Sequence, residues 1–595
     1  MFVGCVALAT SCDLTENVQV KADKSMIFGS KSGLELYSNS FYKALPTLKN
    51  GFMQDKMCDV GAVSNTDTFI KQGAYNTETA TSWSWGALKN INYFIDGCND
   101  PKYCTVDDNT RDNYLGIARW FRAWFYYDKL TTYGEVPWFP HDIQSYQNDV
   151  MYKDRDSRDV IIRNLIADLD FAYEHIQATS STGSSTLTRW AAAALKSRVC
   201  LFEAAYRRYH NLTELEITPE ELYREAAKAA KLVIDNSGCS LNTATGKKGA
   251  YRDLFYNETP LTQEVILAVC ANEKSGIFGE QNWWFNARSY GLCWSLVRSF
   301  VHTYLKQDGT PFTAAADYAV KSFAEEMEGR DLRLEQTVRG RNFLWDGKTA
   351  VADIKNLSLT GYQVIKYTLD ESKYDGGAKN INSIPLIRYA EVLLNYAEAQ
   401  AELGVITDSE WALTVGALRK RAGITGGTET LPTTVDGYLQ RTFYPDVTSP
   451  VLLEIRRERA IELVAEGMRF DDLRRWKCGS LMETLPWSGI HIPGLEQPVD
   501  VNGDGVDDYY FTEGEVTAAP AAYRNIAIRV NQDGVGLYAE ANAVAGYDLV
   551  YKTGAGDRYW YPDGRQYLYP IPAKVIRDYK NAGYTISQNP YWDNE

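Results

Sequence analysis

The densest run of ionisable side chains is IELVAEGMRFDDLRRWKCG, residues 461–479, which sets Glu462, Glu466, Asp471 and Asp472 among Arg469, Arg474 and Arg475. Clustered carboxylates can serve as general acid and base, provided one of them keeps its proton near neutral pH. At helical spacing Glu466 faces Arg469, Asp471 faces Arg474 and Arg475, and Arg459 faces Glu462. A guanidinium in reach lowers a carboxyl pKa, which is the wrong direction for a general acid. The segment therefore reads as an ion-paired helix and turn that braces a fold. Motifs for catalysis are missing: the chain has no HExxH, GxSxG, GxxxxGK[ST] or GxGxxG. The five histidines, at 141, 175, 210, 302 and 491, include no i, i+3 or i+4 pair, so a helical metal pair is excluded. No catalytic residue is assigned, and no cofactor is required.

Two clusters suit saccharide binding, in which C–H faces stack on aromatic rings and hydroxyls meet amides and charges. In TSWSWGALKNIN (81–92) Trp83 and Trp85 alternate before a helix, with Asn65 and Asp67 upstream in SNTDTF (64–69). In QNWWFNARSYGLCW (281–294) Trp283, Trp284, Tyr290 and Trp294 stand beside Gln281, Asn282, Asn286 and Arg288. Each could equally be a buried aromatic patch. DRYWYPDGRQY (557–567) reads as packing. DVNGDGVDD (500–508) places Asp500, Asn502 and Asp504 at alternate positions before Gly505, a pattern that can turn oxygens toward a structural Ca2+, with Asp507 or Asp508 completing the shell. Phe511 at the twelfth position rules out a true EF-hand.

Long amphipathic segments must position these groups. Residues 116–130 set Trp120, Ala123, Trp124 and Tyr127 on one stripe that Phe121 and Phe125 widen. Further helices read over 158–177, 189–210, 219–236, 388–403, 409–422 and 452–476, giving a mainly α chain of antiparallel helix pairs. Thr218-Pro219-Glu220-Glu221 marks a helix start, and Gly404 a helix end. Residues 241–385 form a loop-rich insertion rich in Gly, Asn, Tyr and Trp, and 480–595 repeat that irregular character. At 595 residues the chain exceeds one hydrophobic core. Its net charge of -15 disfavours nucleic acid and anionic bilayers as partners.

Residues 1–12, MFVGCVALATSC, resemble the end of a signal peptide with a lipobox, which makes Cys12 the lipidated residue and Asp13 the start of a tether. The run is shorter than the about 20 apolar residues that span a bilayer. Export permits disulfides; Cys98 and Cys104 flank NDPKY and could close a small loop.

RWFRAWFYYDKLTTYGEVPWF (119–139), RYAEVLLNYAEAQAELG (388–404), EIRRERAIELVAEGMRFDDLRRW (454–476) and YLYPIPAKVI followed by SQNPYW (567–592) resemble successive signatures of the SusD/RagB family. The resemblance implies a scaffold of tetratricopeptide-like helix pairs, spread over an N-terminal region (13–240) and a C-terminal region (386–595). It also implies a non-catalytic, lipid-anchored protein of the bacterial outer membrane, exposed at the cell surface. Such a protein captures oligosaccharides and hands them to a TonB-dependent transporter of the SusC type. Capture of peptides, a structural transporter subunit and a glycoside hydrolase are the alternatives.

Overall fold

The computed structural model describes residues 24–49, 53–286, 292–552 and 558–593; Cys12, Arg288 and Tyr290 lie outside them. Helices dominate, as the periodicity predicts. Helix Asp108–Tyr133 starts where the Asp107 carboxylate accepts from the Thr110 amide, and its expected stripe is buried at Trp120, Phe121 and Ala123. It packs against helix Gly86–Cys98 on one side and helix Arg158–His175 on the other. Helix Arg189–Tyr209 follows, its AAAA run wholly buried, and packs on helix Pro219–Asn236, which opens with the Thr218–Glu221 capping box. Helix Tyr389–Glu402 lies against that helix and against Pro450–Glu462, so the pairs continue across the insertion.

Two predicted helices are broken. The segment 409–422 divides into Asp408–Leu413 and Val415–Arg421 at Thr414 (φ -108°, ψ -93°). The segment 452–476 stops at Glu462 and resumes at Arg469, with Ala465 and Gly467 at φ +65° and +80°. The Gly467 amide donates to Asp55 at 2.9 Å, so a tertiary acceptor replaces the helical one. The break separates Glu466 from Arg469, and the predicted pairing between them does not form. Arg469 instead clamps Asp59 bidentately, at 2.7 and 2.6 Å. Arg459 meets Asp472 rather than Glu462, at 2.8 Å. The predicted contact of Asp471 with Arg474 is present at 2.5 Å, whereas Arg475 turns to Glu398 and Asp472.

The ends of the insertion are tied together. Strand Val265–Val269 pairs antiparallel with Ile384–Arg388, and short helices and turns fill the span between them. The C-terminal region is more regular than its composition suggests. Strands Leu537–Ala541, Tyr547–Tyr551 and Ser488–Ile492 form one three-stranded sheet in that order, and Ala527–Arg529, Tyr509–Thr512 and Pro498–Val499 form another. Cys98 and Cys104 are both free thiols.

Candidate functional site

A cavity of about 1100 Å3 opens where the loop 76–85, the segment 139–152 and the C-terminal helix Ala573–Asn581 converge. Trp83 and Trp85, both partly exposed, form one wall. Their rings meet edge to face at 5.3 Å; Trp83 also packs on Tyr133 at 4.9 Å and Trp85 on Phe139 at 5.2 Å. These contacts fix the orientation of the indoles while leaving part of each to the cavity. The facing wall carries Tyr152, Lys574, Arg577 and Tyr579.

A polar chain running back into the helices holds the first wall. Asp168 accepts both arms of Arg122 at 2.7 Å, and a third guanidinium nitrogen reaches Asn92 Oδ1 at 3.4 Å and the Pro140 carbonyl at 3.2 Å. Asn92, fully buried, donates to the carbonyls of Phe139 (2.7 Å) and His141 (3.1 Å). Three helices thus set the course of the segment that supports Trp85. The loop on the other side is shaped by Asn76, whose Oδ1 accepts from the amides of Glu78 and Thr79 at 3.0 Å each.

Charges on the rim are neutralised pairwise. Lys89 donates to Asp142 at 2.8 Å, Lys574 meets Asp578 at 2.6 Å and Arg577 bridges to Glu78 at 2.6 Å, while the His141 ring is hydrogen-bonded to Asp96 at 2.8 Å. The hydrogen bond from Arg577 holds the Glu78 carboxyl below its ordinary value. The two carboxylates on the cavity are therefore ion-paired, and Glu78 is tuned away from proton donation. Beneath the tryptophans Lys129 donates to the Ser82 carbonyl at 3.3 Å, and burial lowers its pKa.

The other sequence-predicted residues lie elsewhere. Asp67 caps a short 3-10 turn, accepting from Phe69 N at 3.0 Å, and pairs with Lys56 at 2.6 Å; it does not line the cavity. Asn65 is exposed and lies off the cavity too. Trp294 is 3% exposed and sits against Gly61, where a Cβ would come within 2.4 Å of the indole nitrogen. This placement overturns its assignment as a ligand platform. Trp283 and Trp284 are half-buried and meet at 4.7 Å. Asn286 donates to Asp375 at 3.0 Å and accepts from Gln363 at 3.3 Å. Gln281 and Asn282 are buried, Asn282 being bonded to Leu369, Asp375 and Asn380. The polar interleaving of that cluster is thus a buried amide network. In 557–567 Trp560 is buried against Gly479, as packing.

In the acidic loop Asp500 accepts from the amides of Gly503 (2.7 Å) and Gly505 (2.8 Å), Asp504 from Val506 (2.9 Å), and Asp508 from Val501 (2.8 Å). Asn502 donates to Asp504 at 3.0 Å. The oxygens offered to Ca2+ thus close the loop's own turns, and among the described residues no group of three or more His, Cys, Asp or Glu is placed to hold a metal ion.

Sequence reasoning missed Phe139, His141, Tyr152, Lys574, Arg577 and Tyr579. All but Tyr152 fall inside or within three residues of the motifs GEVPWF and IPAKVI, which it read for family resemblance and not for lining.

Comparison with known proteins follows the architecture. The model of the SusD family matches residues 263–592, more than half of the chain. A SusD-like protein of Formosa agariphila is 25% identical over 378 residues, which are 61% of this chain and 66%, just under two thirds, of that protein. Among solved structures, a SusD-like carbohydrate binding protein of Bacteroides fragilis superposes with a TM-score of 0.67 at 18% identity, covering 94% of this chain and 99% of that one. A second SusD-like protein of Bacteroides fragilis gives 0.63 at 21% identity (96% and 98%), and a SusD homolog of Bacteroides thetaiotaomicron gives 0.62 at 16% (96% and 98%). At these identities the structural likeness speaks to the fold.

Proposed function

This chain belongs to the SusD family, and we propose that it captures oligosaccharides at the bacterial surface and delivers them to a TonB-dependent outer-membrane transporter of the SusC type. The observation that carries the reading is the pair Trp83 and Trp85, held edge to face on a cavity of about 1100 Å3. Small-molecule pockets run to about 1,000 Å3, so this cavity has room for more than one sugar ring. Charge on the rim is cancelled pair by pair, which suits a neutral chain of hydroxyls better than a polyanion or a basic peptide.

Members of the family are in general binding proteins of the cell surface. The ion pairing of Glu78 and Asp578 argues against a glycoside hydrolase, which needs one carboxyl protonated. Lipidation of Cys12 supplies the anchor in this reading; among the described residues no helix is long and apolar enough to cross a membrane. Residues 241–385 are in this reading a variable insertion set between two helical regions.

Calorimetry of protein from Asp13 onward, titrated with plant, host and microbial oligosaccharides and with mixed peptides, tests the reading. Binding without product formation is expected, weakened in Trp83→Ala. Heat with peptides and none with any oligosaccharide would replace it with peptide capture.

A further inference from the structure

A second cleft, of about 390 Å3, lies in the 241–385 insertion and shares no lining residue with the first. Its floor is Arg252. That guanidinium donates to Asp370 at 2.8 and 2.6 Å and to the carbonyls of Thr368 (2.7 Å) and Ile365 (3.1 Å). It lies 5.2 Å from the ring of Tyr256 and 5.8 Å from that of Phe343. With its strong donors spent inside the protein, Arg252 orients two partly exposed rings rather than seizing a ligand.

The Phe343 side is built rigidly. Strands Leu344–Trp345 and Lys348–Thr349 form a hairpin whose turn, Asp346-Gly347, has φ of +48° and +74°, as a two-residue primed turn requires. The Asp346 amide donates to the Asp370 carbonyl at 3.0 Å, and Asp346 accepts from Ser372 N at 2.9 Å, tying the hairpin to the segment whose Asp370 carboxylate holds Arg252. Arg339 lies 5.0 Å from the Phe343 ring.

The rim behaves differently from the floor. Glu335, Lys248 and Asn342 line the cleft, and no side-chain hydrogen bond or ion pair to a described residue engages any of the three. Glu335 is half-buried, and burial raises its carboxyl above the ordinary value, with only Lys248 and Arg341 opposing through space. Lys248 and Asn342 are exposed and free to meet solvent or a ligand, whereas the half-buried Glu335 carboxyl, with no protein partner, calls for a ligand or water. An acceptor, a cation and an amide around two aromatic faces match the two sides of a sugar ring.

We propose that this cleft is a second saccharide site, which takes one sugar ring between Tyr256 and Phe343 with its hydroxyls on Glu335, Asn342 and Lys248. The proposal rests on the carbohydrate-capture reading but concerns a separate place on the molecule. Such a site would hold a branch or a distant end of the chain bound at Trp83 and Trp85, or a second chain.

Saturation-transfer NMR with the methyl glycosides of glucose, galactose, mannose and N-acetylglucosamine tests it, using the full chain from Asp13 and the variants Trp83→Ala, Phe343→Ala and Glu335→Gln. Transfer to at least one glycoside is expected, retained in Trp83→Ala and lost in Glu335→Gln and Phe343→Ala. The near-isosteric Glu335→Gln keeps the test valid if Phe343→Ala unfolds. Transfer that vanishes in Trp83→Ala and survives in Glu335→Gln and Phe343→Ala overturns the second site while leaving the first. Transfer to free amino acids instead of glycosides, or to no probe at 10 mM (about millimolar affinity being weak but measurable), also overturns it. Oligosaccharide calorimetry reads the first site independently.

Discussion

Arg388 and Glu462 meet twice, Nη1 donating to Oε1 at 2.6 Å and Nη2 to the main-chain carbonyl at 2.7 Å. Arg388 ends a strand of the insertion's closing pair and Glu462 ends a helix of the C-terminal half. Arg333 adds a bond to Glu462 Oε2 at 2.7 Å, Arg421 bonds Oε1, and Glu466 takes the other face of Arg388 at 2.7 Å. All five side chains are buried or nearly so. Removing Glu462 leaves three buried guanidiniums each short of one carboxylate, although Arg333 keeps Asp331, Arg388 keeps Glu466 and Arg421 keeps Glu264, so Glu462→Ala should cost about 3–5 kcal/mol. Urea unfolding followed by tryptophan fluorescence measures it; a cost below about 1 kcal/mol would show that the cluster braces nothing.

Acid sensitivity follows from Glu326. It accepts from Arg298 and His302 at 2.9 Å and from Tyr362, and despite burial, which alone would raise it, its pKa is lowered from 4.5 to about 2, chiefly by Arg298. A depressed folded pKa contributes stability above 4.5 that is lost as pH falls from 4.5 toward 2. Burial lowers the pKa of His302, which acts in the same direction, since its protonation opposes folding. Glu326→Gln should be less stable at pH 7 and show a flatter fall in melting temperature across that acid window; an unchanged slope would remove Glu326 as the cause.

Trp83→Ala should weaken oligosaccharide binding at least tenfold, about 1.4 kcal/mol. Calorimetry reads the affinity, and a matching melting curve separates binding from folding.

Trp294→Ala should do the reverse. Its indole is buried, so truncation should cost about 3–5 kcal/mol of stability and leave saccharide affinity of the folded fraction unchanged. Loss of affinity at unchanged stability would return Trp294 to the ligand surface.

Asn92→Leu removes the donor that fixes the Phe139 and His141 carbonyls and leaves Arg122 one acceptor short. A buried polar group left unsatisfied costs about 1–3 kcal/mol. Lower stability together with weaker oligosaccharide binding is expected, and the conservative Asn92→Asp should recover part of the stability through Arg122.

In the loop 500–508, Asp500→Ala should lower the melting temperature whether or not calcium is added, because Asp500 closes two turns through backbone amides. If a cation also uses these oxygens, millimolar calcium raises the melting temperature and Asp504→Ala abolishes the rise.

Helices were legible because an amphipathic stripe is a local signal. Thr218 and Pro219 announce a helix start within one turn of chain, and the structure begins a helix there. The bracing role of 461–479 was legible too, since so many charges of both signs can be buried only in pairs. Which partners they take was not. Spacing along one continuous helix joined Glu466 to Arg469, whereas the break at Ala465–Gly467 sends Glu466 to Lys366 and Arg388.

Trp83 and Trp294 show the same division at the site. Both stand in polar, aromatic-rich stretches, and sequence treats them alike. One faces a cavity and the other fills a core, because burial depends on which distant segment arrives to cover a side chain. The helix Ala573–Asn581 comes from nearly 500 positions away to wall the first cavity without covering it, through the pair Arg577–Glu78. The helical class, the family signatures and the residue types fit for stacking on sugars are all local properties and can be read along the chain. Which rings stay open and which charges meet follow from the folded arrangement, because both depend on contacts between segments far apart in the chain.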